Sequence, residues 1–177
     1  MTKQELRGII LSETKALATE EKKRQSLIIC NKIKQSNIWK KAKTIALYMP
    51  LKTEPDIRLL MEEAVKTKKR ILLPVIENNT IELVLYKQDV PLVRHSLGFL
   101  QPKNTAKESI LPELILVPGV AFDNNKKRLG RGGGYYDRLL SSLPPDCIKI
   151  GVCYSTQLTK EIPSEKHDIA MDIIITA

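Results

Sequence analysis

One glycine-rich stretch with interleaved arginines has the residue types and spacing to do chemistry. Residues 128–138 read Arg-Leu-Gly-Arg-Gly-Gly-Gly-Tyr-Tyr-Asp-Arg and hold four of the chain's eight glycines. Glycine permits backbone dihedrals that a side chain forbids, so successive N–H groups could turn toward one anion. Residues 135–143 are predicted to form a short helix with Leu139 and Leu140 on its inner side, and helix N-termini bind anions. With the fixed charge of the arginines, the stretch predicts a site for a nucleotide's phosphates.

The same stretch has other interpretations on pattern alone. Three consecutive glycines are usually a flexible loop, and an arginine–glycine run can belong to a disordered nucleic-acid-binding tail. Such tails are repeated and terminal, whereas this run occurs once and lies between apolar segments. It is not a Walker A loop, because no Gly-Lys-Ser/Thr follows, and Tyr135 stands where the dinucleotide fingerprint needs a third glycine.

Charged residues elsewhere could join this site. Lys3 and Arg7 lie one turn apart on a predicted helix, so both cations could point the same way, although basic residues are usually just solvated. Glu54 follows a predicted strand, where its carboxylate could accept hydrogen bonds from the N–H groups of a heterocycle. Asp137 and Asp172 could hold Mg²⁺ beside phosphates, which needs only one or two carboxylates. Each of the three acids could instead cap an element or pair with Arg or Lys.

Apolar patterns predict an α/β protein that positions these residues. Helices are predicted from the capping box of Thr2 and Glu5, from Thr19 onward, and over residues 56–68 and 135–143. The second helix is predicted to turn Leu27, Ile28 and Ile33 inward. Strands are predicted at residues 44–48, 70–74, 81–86, 114–117, 149–152 and 172–176, with 120–123 continuing the fourth strand and 87–112 forming loops.

This alternation indicates a three-layer α/β/α sandwich with a mostly parallel central sheet, formed by residues 1–177 as a single domain. In such folds ligands bind beyond the carboxyl ends of the strands. Glu54, the glycine-rich stretch and Gln157 each follow a predicted strand. We therefore expect them to lie together at that edge of the sheet.

Composition limits the classes of partner. The chain has 177 residues, of which 42% are hydrophobic and 28% charged, as in an ordinary globular protein. No apolar run approaches the ~20 residues of a membrane span, and the N-terminus lacks a secretory signal, so a cytoplasmic protein without a membrane partner is expected. Cys30, Cys147 and Cys153 are odd in number and without CxxC spacing, which favours buried structural thiols.

The net charge of +9 suggests polyanionic partners, but its distribution argues against nucleic acid. The lysines are spread over predicted helix surfaces and connections. Five Tyr, two Phe and one Trp are few for a surface that stacks bases. A solvated basic surface is therefore favoured over a nucleic-acid-binding face.

Taken together, these segments resemble the 5-formyltetrahydrofolate cyclo-ligase (5,10-methenyltetrahydrofolate synthetase) family. The resemblance spans almost the whole chain in the family's order, and its most specific part is the glycine-rich stretch with the preceding Pro-Gly-x-x-Phe-Asp. The residues that carry it are Lys3 and Arg7, Tyr48-Met-Pro with Glu54, residues 116–123 and 128–138, Ile150-Gly-Val with Gln157, His167-Asp168, and residues 172–176.

The resemblance implies an enzyme that uses ATP and Mg²⁺ to convert 5-formyltetrahydrofolate to 5,10-methenyltetrahydrofolate, releasing ADP and phosphate. The resemblance implies that the protein binds ATP and the folate, polyglutamylated or not, and a monomer is expected. Arg131 would be catalytic, as a stabiliser of the transferring phosphoryl group. ATP would be held by Lys3, Arg7, Arg128, Leu129, Gly130, Arg131, Gly132, Gly133, Gly134, Tyr135 and Tyr136. The folate would contact Met49, Glu54, Arg131, Gly132, Gly133, Gly134 and Tyr135, and Mg²⁺ would bind Asp137 and Asp172.

Three positions depart from the family pattern. Gln101 stands where a glutamate is common before Pro102, Lys126 occupies a turn that usually holds a glycine, and the segment after Glu54 lacks a usual threonine. Two other functions stay open: a nucleic-acid-binding module, which would leave the three acids without a role, and a sugar-phosphate isomerase or acyl-CoA transferase, which would bind anions without hydrolysing ATP.

Overall fold

A twisted array of short strands with helices around it forms the structure, a computed structural model that describes residues 1–103, 110–163, 165 and 168–177. The helices are α1 (Lys3–Ala16), α2 (Thr19–Gln35), α3 (Asn37–Lys41), α4 (Arg58–Lys66) and α5 (Tyr135–Ser142), and Ser155–Gln157 form a 3₁₀ turn. The strands are β1 (Thr44–Ala46), β2 (Arg70–Glu77), β3 (Thr80–Leu85), β4 (Leu92–Arg94), β5 (Leu100–Pro102), β6 (Leu114–Pro118), β7 (Ala121–Asp123), β8 (Arg128–Leu129), β9 (Ile148–Val152), β10 (Leu158–Thr159) and β11 (Ile173–Ile175).

The central sheet has six strands in the described residues, in the order β11-β9-β6-β1-β2-β3. All neighbours are parallel except β2 and β3, which form an antiparallel hairpin. Side chains alternate between two buried faces, as a strand's period of two requires. Leu114 and Leu116 of β6 belong to one core and Ile115 and Val117 to the other. Residues of α2, α3 and α4 complete the first core and residues of α5 the second, which confirms the predicted three-layer sandwich.

The strand predicted at residues 114–117 ends at Pro118 and Gly119, but residues 120–123 do not continue it as expected. Beyond Gly119 the chain turns into β7, which pairs with β8 and β10 in a separate small sheet rather than extending β6. The buried carboxylate of Asp123 stabilises the new direction by accepting hydrogen bonds from the N–H groups of Asn125, Lys127 and Ile162, each at 2.9 Å. Helix α1, with its predicted capping box, packs on this small sheet.

The inward face of α2 differs from the predicted one. Leu27 is 50% exposed, and the buried positions include Gln25 and Ser26. These buried polar side chains accept hydrogen bonds from the backbone of other segments. Gln25 Oε1 accepts from Ser155 N–H at 2.9 Å, and Ser26 Oγ accepts from Asp56 N–H at 3.0 Å. An apolar periodicity alone does not reveal such contacts.

The region expected to be irregular contains an antiparallel hairpin, β4–β5. Gln101 fastens it to the central sheet, because its Oε1 accepts a hydrogen bond from Ile76 N–H at 3.0 Å. The departure from the family pattern at this position therefore gives a buried structural contact. The hairpin's tip carries Leu97 and Phe99 toward the carboxyl edge of the sheet.

The composition-based expectations about cysteines are confirmed. All three thiols are free and buried. Burial raises the pKa of Cys153 to about 12 and that of Cys30 to about 11, so both stay protonated at neutral pH. No helix within the described part of the chain combines the length and the hydropathy needed to cross a membrane.

Lys126 provides a test of the turn that lacks its usual glycine. Lys126 has φ +63°, a left-handed conformation that costs a residue with a Cβ about 1 kcal/mol. We expect Lys126→Gly to raise the free energy of unfolding by about 0.5–1 kcal/mol in urea titrations. The matched control is Lys127→Gly: the φ of Lys127 is not positive, so glycine there should destabilise. Equal effects of the two substitutions would contradict the role of φ.

Candidate active site

A cavity of about 350 Å³ lies at the carboxyl ends of β1 and β6. One wall is apolar and comes from the segment after β1, from β2 and β3, and from the β4–β5 hairpin. The opposite wall is polar and comes from the glycine-rich loop and α5. The apolar wall contains Met49, Leu51, Pro74, Ile76, Ile81, Leu97 and Phe99, and the polar wall Arg128, Gly130, Arg131, Gly133, Gly134 and Asp137.

The glycine-rich loop lines this cavity with its backbone, because its glycines carry no side chains. Gly134 has φ +65° and is the N-cap of α5, and Gly132 has φ +104°. A Cβ on Gly133 would lie 2.8 Å from the ring of Tyr135. The loop therefore leads directly into α5. The N-terminus of α5, which is the positive end of the helix dipole, faces the cavity.

Arg131 and Glu54 join the two walls. Arg131 Nη2 donates to Thr53 Oγ1 at 2.7 Å and to Glu54 Oε1 at 3.3 Å. The Glu54 carboxylate is only 6% exposed and also accepts from Leu51 N–H at 3.0 Å. Burial raises the pKa of Glu54 above its usual value, while the Leu51 N–H and Arg131 act in the opposite direction. Glu54 thus has spare acceptor capacity in a place that disfavours its charge.

Arg128 and Asp137 form a second, more deeply buried pair. Arg128 Nη2 donates to Asp137 Oδ1 at 2.9 Å, and the Arg128 side chain is 4% exposed. Its Nη1 donates to Pro118 O at 3.4 Å, and its guanidinium lies 5.5 Å from the ring centre of Tyr136. Arg128 therefore ties the first turn of α5 to the end of β6. Its Nε has no hydrogen-bond partner among the described residues.

The two cations of helix α1 make different contacts: Arg7 reaches the glycine-rich loop, whereas Lys3 pairs with acids of the segment before β11. Arg7 Nε donates to Gly130 O at 2.8 Å, which attaches α1 to the glycine-rich loop. Lys3 Nζ contacts Asp168 Oδ2 at 2.7 Å and Glu165 Oε1 at 3.1 Å. Burial lowers the pKa of Lys3, but the hydrogen bonds that Lys3 donates to both carboxylates, together with their negative charge, outweigh it and the pKa is raised. His167, named in the family resemblance, lies outside the described residues.

Asp172 does not join Asp137. Asp172 Oδ2 accepts from Lys149 N–H at 2.7 Å, and its own N–H donates to Lys149 O at 2.8 Å. Lys149 lies at the beginning of β9, so Asp172 is at the amino edge of the sheet, opposite the cavity. The expected two-carboxylate magnesium site is therefore not formed in this structure. The physical reason is topological: a residue that precedes a parallel strand lies at the amino edge.

The expected meeting of Glu54, the glycine-rich loop and Gln157 at the carboxyl edge is confirmed. Gln157 is 1% exposed, and its Nε2 donates to Gly119 O at 3.0 Å beside the cavity. Two residues of this site were not singled out from the sequence: Thr53, which holds Arg131, and Tyr154, whose hydroxyl donates to Glu54 O at 2.9 Å. The available signal was their position just after β1 and β9, at the edge where ligands bind.

The comparison with protein families gives a match over the whole chain. The model of the 5-formyltetrahydrofolate cyclo-ligase family matches residues 1–177. The 5-formyltetrahydrofolate cyclo-ligase of Haemophilus influenzae is 32% identical over 145 residues, which cover 77% of this chain and 77% of that protein.

Solved structures agree in fold. The 5,10-methenyltetrahydrofolate synthetase of Aquifex aeolicus is 38% identical with a TM-score of 0.85, covering 98% of this chain and 89% of that one. A 5,10-methenyltetrahydrofolate synthetase from Mycoplasma pneumoniae is 29% identical with a TM-score of 0.79, covering 99% of both chains. The similarity extends over nearly the full length in each case.

Glu54→Gln tests whether the buried carboxylate reduces stability. A raised pKa in the folded state means that stability is complete below the usual glutamate pKa and is lost as the pH rises through the folded value. Glutamine resembles the protonated acid and does not ionise. We therefore expect Glu54→Gln to melt at a higher temperature than the wild type at about pH 8, with the difference shrinking toward about pH 5.

The measurement is differential scanning calorimetry at both pH values, with Glu13→Gln as a control on an exposed carboxylate of α1. A Glu54→Gln protein that melts below the wild type at about pH 8 would show that the ion pair with Arg131 outweighs burial.

Proposed function

This chain belongs to the 5-formyltetrahydrofolate cyclo-ligase family, and from that premise we propose that it converts 5-formyltetrahydrofolate to 5,10-methenyltetrahydrofolate at the expense of ATP, releasing ADP and phosphate. The observation that carries the proposal is the cavity with two unlike walls. Backbone N–H groups and Arg131 on one wall suit phosphates, and an apolar surface with the buried Glu54 on the other suits a heterocycle. Arg131 contacts Glu54, so the two substrates would meet there.

The reaction needs alignment and charge neutralisation more than covalent help from the protein. An N-formyl group is a poor electrophile, and its oxygen is a poor leaving group. Transfer of the γ-phosphoryl group to the formyl oxygen gives an electrophilic iminium-like carbon. N10 then attacks that carbon and closes the five-membered ring, and phosphate leaves while N10 loses its proton, which inorganic phosphate or water can take up. The protein must hold the formyl oxygen in line with the γ-phosphorus and stabilise the negative charge on the equatorial oxygens of the transferring phosphoryl group.

On the nucleotide side, we assign the phosphates to residues 128–136 and the rim to Lys3 and Arg7. The left-handed glycines and the N-terminus of α5 support this assignment. Arg131 is assigned to the transferring group, because its side chain is 42% exposed while it is held by Thr53 and Glu54. Arg128 contributes indirectly in this assignment, since its guanidinium is committed to Asp137 and Pro118.

On the folate side, we assign the ring system to the apolar wall around Met49 and to the Glu54 carboxylate. A pterin presents N–H groups that can donate hydrogen bonds to a carboxylate. Among the described residues, Glu54 Oε2 accepts a hydrogen bond only from the Leu51 N–H. Bound N–H donors would favour the ionised form of Glu54 and offset its burial. Leu97 and Phe99 of the β4–β5 hairpin would cover the ring system from above.

We propose that Mg²⁺ is held by Asp137 together with phosphate oxygens. Magnesium binds through one or two carboxylates plus phosphates and keeps several waters. Asp137 lines the cavity in the first turn of α5, and its pairing with Arg128 uses one carboxylate oxygen. When bound, the ion would neutralise charge on the triphosphate. Asp172 has no part in this assignment.

Three coarser proposals accompany the activity. The family match over residues 1–177 supports one cyclo-ligase domain. The three free thiols support a reducing compartment, which we take to be the cytoplasm. We also propose a monomer, as expected from the sequence.

The alternative functions are less compatible with the site. A nucleic-acid-binding module would need its arginines exposed to phosphates, yet Arg128 is buried, and such a module would leave the buried Glu54 without a role. An isomerase or acyl-CoA transferase would account for the anion-binding loop, but the family model that matches this chain is that of the cyclo-ligases.

Turnover provides the direct test. With folinate, ATP and Mg²⁺, the wild type should produce the near-ultraviolet absorption of methenyltetrahydrofolate, and omitting ATP should abolish the signal. Arg131→Ala should lower kcat by about 10²–10³-fold, as expected for removing a donor to transition-state charge. Circular dichroism should show the fold unchanged.

Arg24→Ala is the matched control, since Arg24 pairs with Glu21 on the exposed surface of α2. No ATP-dependent signal from folded wild type would end the ligase proposal. Normal kcat in Arg131→Ala would refute only the role of Arg131.

A further inference from the structure

We propose that Tyr154 and Gln157 are positioning residues: they fix the backbone of residues 53–56, the anchor segment, so that Thr53 and Glu54 hold Arg131 at the place of phosphoryl transfer. The proposal rests on the function proposed above and adds residues that touch neither substrate in it. It concerns how Arg131 is aimed, through a short stretch of irregular backbone.

Four consecutive carbonyl groups of the anchor segment accept hydrogen bonds from side chains. Thr53 O accepts from Gln157 Nε2 at 3.3 Å and Glu54 O from the Tyr154 hydroxyl at 2.9 Å. Pro55 O accepts from the Tyr48 hydroxyl at 2.9 Å, and Asp56 O from Cys30 Sγ at 3.4 Å. The donors come from α2, from the end of β1 and from the region after β9.

Such an arrangement specifies position because the segment is buried. Thr53 is 8% exposed and Glu54 6%. A buried carbonyl that loses its donor costs about 1–3 kcal/mol, and here no helix or sheet supplies the donors. A displacement of the backbone that breaks any one of these hydrogen bonds therefore costs free energy. Side chains thus satisfy these carbonyl groups in place of a helix or a sheet.

Gln157 connects this segment to the phosphate side of the cavity. Its Nε2 donates to Thr53 O, to Gly119 O at 3.0 Å and to Val120 O at 3.2 Å, while its Oε1 accepts from Tyr154 N–H at 2.8 Å. A single amide thus joins the anchor segment, the turn after β6 and the 3₁₀ turn. A carboxylate of the same shape would face three carbonyl oxygens and could not do so.

Tyr154 connects the same segment to α2. Its hydroxyl donates to Glu54 O and lies 3.5 Å from Ser26 Oγ, which itself accepts from Asp56 N–H at 3.0 Å. The ring is 2% exposed, so water does not replace these contacts. Tyr154 therefore binds the segment before Pro55, at Glu54 O, and Ser26 binds it after Pro55, at the Asp56 N–H.

The consequence for catalysis follows from where the segment points its side chains. Thr53 Oγ1 and Glu54 Oε1 are the two groups that hold the Arg131 guanidinium, at 2.7 and 3.3 Å. A backbone shift of about 1 Å would misplace that guanidinium, and misplacement on this scale can cost about 10²-fold in rate. Tyr154 and Gln157 would therefore affect turnover only through Arg131 and its anchors.

Tyr154→Phe tests this in a double-mutant cycle with Arg131→Ala. Alone, Tyr154→Phe should lower kcat about 10-fold or more with the fold retained, because it removes one buried donor and keeps the ring. In the Arg131→Ala background the same change should lower the residual kcat less than 2-fold, because nothing remains to be aimed. Tyr86→Phe, which removes a hydroxyl outside the cavity, is the control and should leave kcat unchanged.

Equal factors in both backgrounds would overturn the proposal, since a merely structural effect multiplies with the loss of Arg131. Unchanged kcat in Tyr154→Phe would overturn it as well. If Tyr154→Phe does not fold, Ser26→Ala takes its place in the same cycle with the same expected coupling. A folded wild type without ATP-dependent turnover would instead refute the proposed function, which separates the two failures.

Discussion

The carboxylate of Glu54, held out of water at the carboxyl edge of the sheet, is the constraint on which the arrangement of the site depends. Burial penalises its charge and raises its pKa. Its partner Arg131 is 42% exposed, so the attraction between them is weakened by solvent. A buried acid with spare acceptor capacity is what recognition of a heterocycle's N–H groups requires, and it is a poor choice for stability alone.

The rest of the fold supplies the surroundings that this carboxylate needs. The parallel sheet brings the ends of β1, β6 and β9 to one edge, so that segments far apart in sequence meet there. Side chains from those segments and from α2 satisfy the irregular backbone around Glu54. The glycine-rich loop places Arg131 across the cavity, and Arg128 fastens the helix that follows. The two walls are therefore positioned by different parts of one scaffold.

Much of the fold could be predicted because apolar runs of strand length stand out against the polar helix faces. The sheet, its two cores and the meeting of Glu54, the glycine-rich loop and Gln157 all follow from that pattern. The apolar pattern failed where buried polar side chains bind the backbone of other segments. In α2, Gln25 and Ser26 are buried and Leu27 is exposed. It also could not show that residues 120–123 form a separate sheet, whose turn is held by three hydrogen bonds to Asp123.

The candidate site was predictable in its residue types and less so in its pairings. The glycine-rich loop, Arg7 and Glu54 could be named from chemistry and resemblance, and the structure places all of them around the cavity. That Arg131 is held by Thr53 and that Tyr154 binds Glu54 O depends on side-chain geometry that no spacing encodes. Asp172 shows the opposite case. A residue before a parallel strand belongs to the amino edge, so topology rather than residue type excludes it from the cavity.

The most direct test of the central claim is isothermal titration calorimetry of folinate with folded wild-type and Glu54→Gln proteins. If Glu54 is kept in its buried place to bind the folate, the substitution should weaken folinate binding about 10-fold or more, as expected when a buried charged hydrogen-bond partner is removed. Equal affinity for folinate in the two proteins would contradict the account.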